Sequence, residues 1–243
     1  MHRIFLTDKP VDKKIVISGK KAGYISQVLR CRPGDTLIIH DNEGNVFRST
    51  IRSVAKKEVM AAIEERMPAL AESPIHIRLF QGILKGEKMD LVIQKTVELG
   101  VNEIVPVVTE RSQVRETRKL QRWRKISEEA ARQSGRPVIP AVHEVADFSE
   151  VLCPLTAYES CSGIIFWEGG GEPLHPVLER IRGIRHIDLF TGPEGGFSAC
   201  EVRQAAEHGF ITATLGRRIL RAETAAIAAV SISQFELGDL GAS

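Results

Sequence analysis

The sequence predicts an α/β chain: a mainly parallel sheet flanked by helices, preceded by a small β-barrel. Three observations lead there. From residue 75 onward, short apolar runs alternate with segments of helical period, the pattern of repeated βα units. Before that, residues 1–70 are β-rich, punctuated by turn residues and poor in helix. Finally, two apolar runs, 187–191 and 212–215, break at Gly192 and Gly216 just ahead of helical segments. In such sheets ligands bind outside the carboxyl ends of the strands.

Taken in order, 15–17, 36–40 and 46–51 read as strands, with a turn at 32–35 and a hairpin loop at 41–45. One short helix is expected over 20–29. Residues 69–74, with Ser73-Pro74 at their end, read as a linker. After it come a strand at 75–81 and a helix at 87–99 with Met89, Val92, Ile93, Thr96 and Val97 on one face. Gly100 stops that helix. A strand at 101–108 and a long basic helix at 117–134 follow. The remaining elements are a strand at 138–142, a short helix near Phe148, a strand at 163–167, a helix at 173–181 and a strand at 187–191. Ser198 with Glu201 three residues on fits a capping box. Residues 212–215 form a last strand, and an apolar helix starts near Ala222.

Composition narrows the function. A 43% apolar content supports a real core, and a net charge of +2 argues against a globally basic nucleic-acid binder. The charge is unevenly spread: residues 111–136 hold nine basic residues against three acidic. That excess suits a phosphate-facing surface or a solvated helix face. Arg30 and Arg32, beside a turn, are phosphate contacts or solubilising charges. The four cysteines, Cys31, Cys153, Cys161 and Cys200, form no C-x-x-C pair, and no Cys/His cluster has zinc-ligand spacing. Reduced thiols in a cytoplasmic protein and no metal are expected. No secretory leader is evident, and the apolar stretch 225–232 is too short to span a bilayer.

The two loop–helix junctions suggest one shared pocket, because both bring backbone N–H groups toward a ligand. Neither carries a phosphate-loop or dinucleotide fingerprint, so a nucleotide-like ligand and two ordinary tight turns both fit. Leu215 and Ile219 suit a pocket wall or a core. Arg221 and Glu223 suit a helix start with a surface ion pair or a reactive site. The acidic glycine-rich loop 168–173 suits a mobile lid or a plain connector.

Here a family resemblance enters. The stretches Thr191-Gly192-Pro193-Glu194-Gly195-Gly196-Phe197-Ser198 and Leu215-Gly216-Arg217-Arg218-Ile219-Leu220-Arg221-Ala222-Glu223-Thr224-Ala225 resemble the second and third signature motifs of the RsmE family. Lys85-Gly86-Glu87-Lys88-Met89-Asp90 and Ile93-Gln94-Lys95-Thr96-Val97-Glu98-Leu99-Gly100 resemble the first. These are bacterial methyltransferases of the SPOUT superfamily that act on N3 of a uridine in 16S ribosomal RNA of the small subunit. The likeness reaches the opening His2-Arg3-Ile4-Phe5 and so spans nearly the whole chain.

The resemblance implies a PUA-like β-barrel RNA-binding domain over 1–72 and a SPOUT domain with a deep trefoil knot over 73–243. It implies S-adenosyl-L-methionine as cofactor, enclosed by Thr191, Gly192, Glu194, Gly195, Leu215, Gly216, Ile219, Leu220 and Arg221. Arg221 and Glu194 become the catalytic candidates. The segment containing Arg132 and Arg136 would face RNA, joining Arg30, Arg32, Arg111 and Arg115. A homodimer is implied, with the apolar last helix, 225–235, as interface or simple core. Two alternatives stay open: a SPOUT enzyme with a ribose 2′-hydroxyl or transfer-RNA acceptor, and a non-catalytic RNA-binding protein.

Overall fold

The computed structural model describes residues 2–6, 13–55, 57–68, 72–152 and 161–241. Cys153 and the first half of the expected linker, residues 69–71, lie outside them. The chain forms two compact units, residues 1–72 with 131–139, and residues 73–130 with 140–243.

The first unit is built on β1 (His2–Phe5), β2 (Lys14–Ser18), β3 (Thr36–His40), β4 (Val46–Val54) and β5 (Glu58–Met67). They form one sheet in the order β1-β3-β4-β5-β2. Among the described residues β1 and β2 do not pair, so the expected barrel is a half-barrel. Strand alternation puts Ile15, Ile17, Leu37, Ile39, Ile51, Val59 and Ala61 inside. The expected helix is α1 (Gly19–Gly23) followed by a π-helical turn, Tyr24–Val28. There the Leu29 N–H reaches back to the Tyr24 carbonyl at 2.9 Å. The Ser26 hydroxyl donates to the Ala22 carbonyl at 2.9 Å and competes with the regular ladder.

Two arginines of the basic segment, Arg132 and Arg136, have partners within this unit. Arg136 is only 6% exposed. Its guanidinium grips the Glu72 carboxylate through Nε, at 3.1 Å, and through Nη2. Its charge is balanced inside this unit, which leaves little of it exposed for the RNA contact expected from the sequence. Arg132 lies over the Tyr24 ring, 5.3 Å from its centre, a cation–π contact that also has a structural use.

The second unit adds β6 (His76–Gly82), β7 (Glu103–Val108), β8 (Ala141–Val142), β9 (Ala146–Asp147), β10 (Cys161–Phe166), β11 (Glu172–Pro173), β12 (His186–Thr191) and β13 (Ile211–Thr214). The sheet is parallel throughout, in the order β11-β13-β10-β12-β6-β7-β8, with β9 also on β7. Its helices are α2 (Lys88–Glu98), α4 (Phe148–Val151), α5 (Leu174–Arg180), α6 (Ala199–Glu207) and α7 (Ala222–Leu237). The basic helix α3 (Leu120–Ser134) begins in this unit. Gly100 ends α2 at φ +95°, where a side chain is strained. The central strands are mostly apolar because both faces are covered; Arg78 on β6 and Asp188 on β12 interrupt the runs and pair with each other at 2.7 Å. Phe80 and Phe190 stack across β6 and β12 with ring centres 4.3 Å apart.

At the amino edge of this sheet, Glu103 is clasped by two imidazoles. His76 Nε2 and His143 Nε2 each lie 2.7 Å from one of its carboxylate oxygens. The hydrogen bond with His76 is the main cause holding its carboxyl down to about 2. Among the described residues no helix is long and apolar enough to cross a membrane.

His40 gives the first unit a measurable acid response. It is 2% exposed, both ring nitrogens lack hydrogen-bond partners, and burial pushes its pKa down to about 4, with Arg3 adding to the effect. The unfolded chain therefore binds a proton that the folded chain refuses, and stability is fully present above about 6.5. It is lost as pH falls from there toward 4, by roughly 3 kcal/mol. Urea titrations across that window are expected to show this loss, and His40→Phe is expected to flatten it.

Candidate active site

The two glycine-rich junctions meet, as their placement at strand ends requires. β12 ends at Thr191, and β13 ends at Thr214, two strands away across β10. Between them opens a cavity of about 420 Å³ at the carboxyl edge of the sheet. Thr191, Gly192, Glu194, Leu215, Gly216, Ile219, Leu220 and Arg221 all line it.

Gly195 does not line the cavity. A Cβ there would meet Arg111, 3.0 Å from its Cβ, so this glycine faces the turn after β7. Gly196 takes its place in the wall, at φ +66° and with the Glu168 carboxylate against its open face. Ile219 is 84% exposed, which removes the core reading for it. Sequence reasoning also missed Lys88, Phe166, Trp167 and Glu168, all in the wall. Phe166 ends β10, the strand between β12 and β13, and residues 167–168 follow it, so the rule on strand ends contained the signal.

The loop after β12 is fastened from three sides. The Thr191 hydroxyl donates to Gln81 Oε1 at 2.7 Å, and Gln81 Nε2 donates to the Gly192 carbonyl at 3.2 Å. Gly82 lies so close that a Cβ would stand 2.4 Å from the Pro193 nitrogen. Beyond the loop, Ser198 caps α6 with the expected capping box. Glu201 accepts the Ser198 N–H and, through its other oxygen, the Glu110 N–H, both at 2.8 Å. The turn after β7 is thereby joined to the start of α6.

Charge inside the cavity centres on Lys88. Its ammonium lies 3.1 Å from Glu194 Oε1 and 3.9 Å from Glu223 Oε2. Burial works to raise the Glu194 pKa, but hydrogen bonds from the Lys85 N–H, its own N–H and Lys88 outweigh it, so the pKa is lowered. A carboxylate so held suits facing a positive charge better than taking up a proton. Glu194 Oε2 and Glu223 Oε2 are both buried without a hydrogen-bond partner. Arg221 is the residue before the first turn of α7; its carbonyl accepts the Ala225 N–H at 2.8 Å and its side chain is exposed.

The RNA candidates are dispersed. Arg30 and Arg32 are exposed on the half-barrel, Arg30 at φ +54°. Arg111 reaches the Gly195 carbonyl at 3.2 Å and Arg115 the Glu110 carbonyl at 3.1 Å, both exposed. Much of the basic run is internally compensated: Arg122 pairs with Asp90, Arg124 with Glu144 and Lys125 with Glu129. Of the 168–173 loop, the far end is tied down, with Glu172 paired to Arg180 at 2.8 Å and β11 added beside β13. No group of His, Cys, Asp and Glu among the described residues could hold a metal ion.

A parallel α/β unit whose glycine-rich strand ends enclose one cavity is the frame of an RNA methyltransferase domain, and the family of that description matches residues 71–234. The chain is 32% identical to ribosomal RNA small subunit methyltransferase E of Buchnera aphidicola from Acyrthosiphon pisum, over 98% of this chain and 94% of that one. It is 30% identical to its Bacillus subtilis counterpart, over 97% of each. The crystal structure of the Neisseria gonorrhoeae enzyme bound to S-adenosyl methionine matches with TM-score 0.89 and 34% identity, over 98% of this chain and 99% of that one. A Legionella pneumophila putative methyltransferase in complex with the same cofactor matches with TM-score 0.87 and 32% identity, over 98% of each. The chain belongs to the ribosomal RNA small subunit methyltransferase E family.

Because Gly82 abuts loop backbone, Gly82→Ala has no flexible neighbour to displace. It is expected to destabilise the second unit by about 1–3 kcal/mol, read by chemical denaturation. An unchanged midpoint would show slack in the loop.

Proposed function

We propose that this chain transfers the methyl group of S-adenosylmethionine to N3 of one uridine in 16S ribosomal RNA. The observation that carries the reading is the shared cavity at the two junctions, in a chain that matches a cofactor-bound relative over nearly its full length. The residues fit the group. Ile219 offers an uncovered apolar face, Gly192, Gly196 and Gly216 keep the wall close to backbone, and two buried carboxylate oxygens accept no hydrogen bond. Thr191, Gly192, Leu215, Gly216, Ile219 and Leu220 would hold the adenosine part.

When bound, S-adenosylmethionine supplies an electrophilic methyl on a sulfonium sulfur. The acceptor nitrogen carries a proton and is a poor nucleophile until that proton passes to water or a carboxylate, so the site must favour the uracil anion. Arg221, beside the cavity and open to solvent, is the cation placed to stabilise charge on the uracil oxygens. The base must be unpaired or swung out, since pairing blocks its N3 edge. In this reading residues 1–72 act as a PUA-like RNA-binding module and residues 73–243 as the knotted methyltransferase domain. The protein works in the cytoplasm, on the small subunit, as a homodimer.

Incubation with small subunits lacking the modification, followed by nucleotide mapping, tests the reaction. N3-methyluridine at one position is expected, and a 2′-O-methyl product or methylated transfer RNA would overturn it. Arg221→Lys keeps charge but loses the planar fork. Single-turnover methyl transfer should fall more than the affinity for either ligand, as for a contact that counts mainly in the transition state.

Arg111 and Arg115 are the members of the basic run expected to touch phosphate. Replacing both by glutamine should weaken RNA binding and reduce the slope of log affinity on log salt by roughly one per lost contact. An unchanged slope would leave them as structural ligands of the two carbonyls they already hold.

A further inference from the structure

We infer that Glu194 and Glu223 make the cavity discriminate by charge, holding the cationic methyl donor more tightly than the neutral thioether product. The inference rests on the cofactor reading above and assigns these two side chains a task within it. Both are sheltered, with side-chain exposures of 20% and 13%, whereas Arg217, Arg218 and Arg221 in the same wall are exposed. Water screens the arginines far more than it screens the carboxylates.

Two carboxylates face one ammonium, Lys88, so the inner wall carries an excess negative charge. Each keeps one buried oxygen with no hydrogen-bond partner. A buried carboxylate oxygen left without a partner is costly. A ligand cation in the cavity relieves that cost, and a neutral ligand of the same shape does not. The lowered pKa of Glu194 keeps it charged to do so. Glu223 sits in the first turn of α7, at the positive end of the helix dipole.

The donor and the spent product share adenosine, carboxylate and α-ammonium and differ by the methyl group and its positive charge on sulfur. An inner wall tuned to that charge binds the donor, and after transfer its grip on the product slackens. Turnover then includes an electrostatic release step, with no movement of the chain required.

Calorimetric titration with three ligands tests this: S-adenosylmethionine, S-adenosylhomocysteine and sinefungin, in which a carbon bearing a protonated amine replaces the methylated sulfur. The wild-type protein is expected to bind both charged ligands about tenfold or more tightly than the thioether. Glu223→Gln and Glu194→Gln should each shrink that ratio by weakening the charged ligands more than the thioether. Glu223→Asp should retain most of it, which separates lost charge from lost fold. Lys88→Met removes the shared counter-ion and should widen the ratio. Equal weakening of donor and thioether would overturn the inference, because the carboxylates would then serve the ammonium common to both. A ratio that no variant changes would overturn it as well. Failure of all three ligands to bind the wild-type protein would overturn the cofactor reading together with it.

Discussion

The carboxyl end of β6 is the constraint on which the rest of the site depends. Gln81 is fully buried, and its carboxamide is used at both ends, accepting from Thr191 and donating to the carbonyls of Gly82 and Gly192. One residue on, Gly82 has no side chain because Pro193 occupies the space. A glycine-rich loop has many conformations open to it, and a cavity needs one of them. Here a neighbouring strand removes the choice through two hydrogen bonds and one steric contact. A half-satisfied polar group at this depth would be costly, so Gln81 and the loop hold each other in place.

The cavity is fixed from its other side by Glu201. It closes the capping box at the start of α6 and also takes the Glu110 N–H. Loop, helix start and the turn after β7 are therefore one hydrogen-bonded assembly. The clasp of Glu103 between His76 and His143 sits at the opposite edge of the same sheet. The clasp and the cavity thus occupy opposite strand ends of one sheet.

The sequence shows local rules more readily than long-range partners. The capping box at Ser198 and Glu201, the stop at Gly100 and the two strand-end glycines depend on a few adjacent residues, and the structure contains them as read. The pairing of Arg136 with Glu72 was not legible, because 64 positions separate the two and a charge count cannot see a pair that distant. Gly195 and Gly196 look equivalent in the sequence. Only the packing of Arg111 against one and Glu168 against the other separates them. Gln81 gave no signal, since a polar residue ending an apolar strand reads as a boundary until its partners are known. The strand β5, which completes the half-barrel sheet between β4 and β2, also went unread. Its second half, Glu64, Glu65 and Arg66, is polar and exposed, so the apolar alternation fades there.

Ile219 has a thermodynamic consequence. A side chain 84% exposed in the wall of a cavity keeps apolar surface hydrated until something covers it. Apolar surface removed from water lowers the heat capacity. A ligand that covered Ile219 would therefore bind with a negative heat-capacity change to which this residue contributes. Ligand affinity at this site consequently has a curved temperature dependence, set in part by a single isoleucine held in solvent.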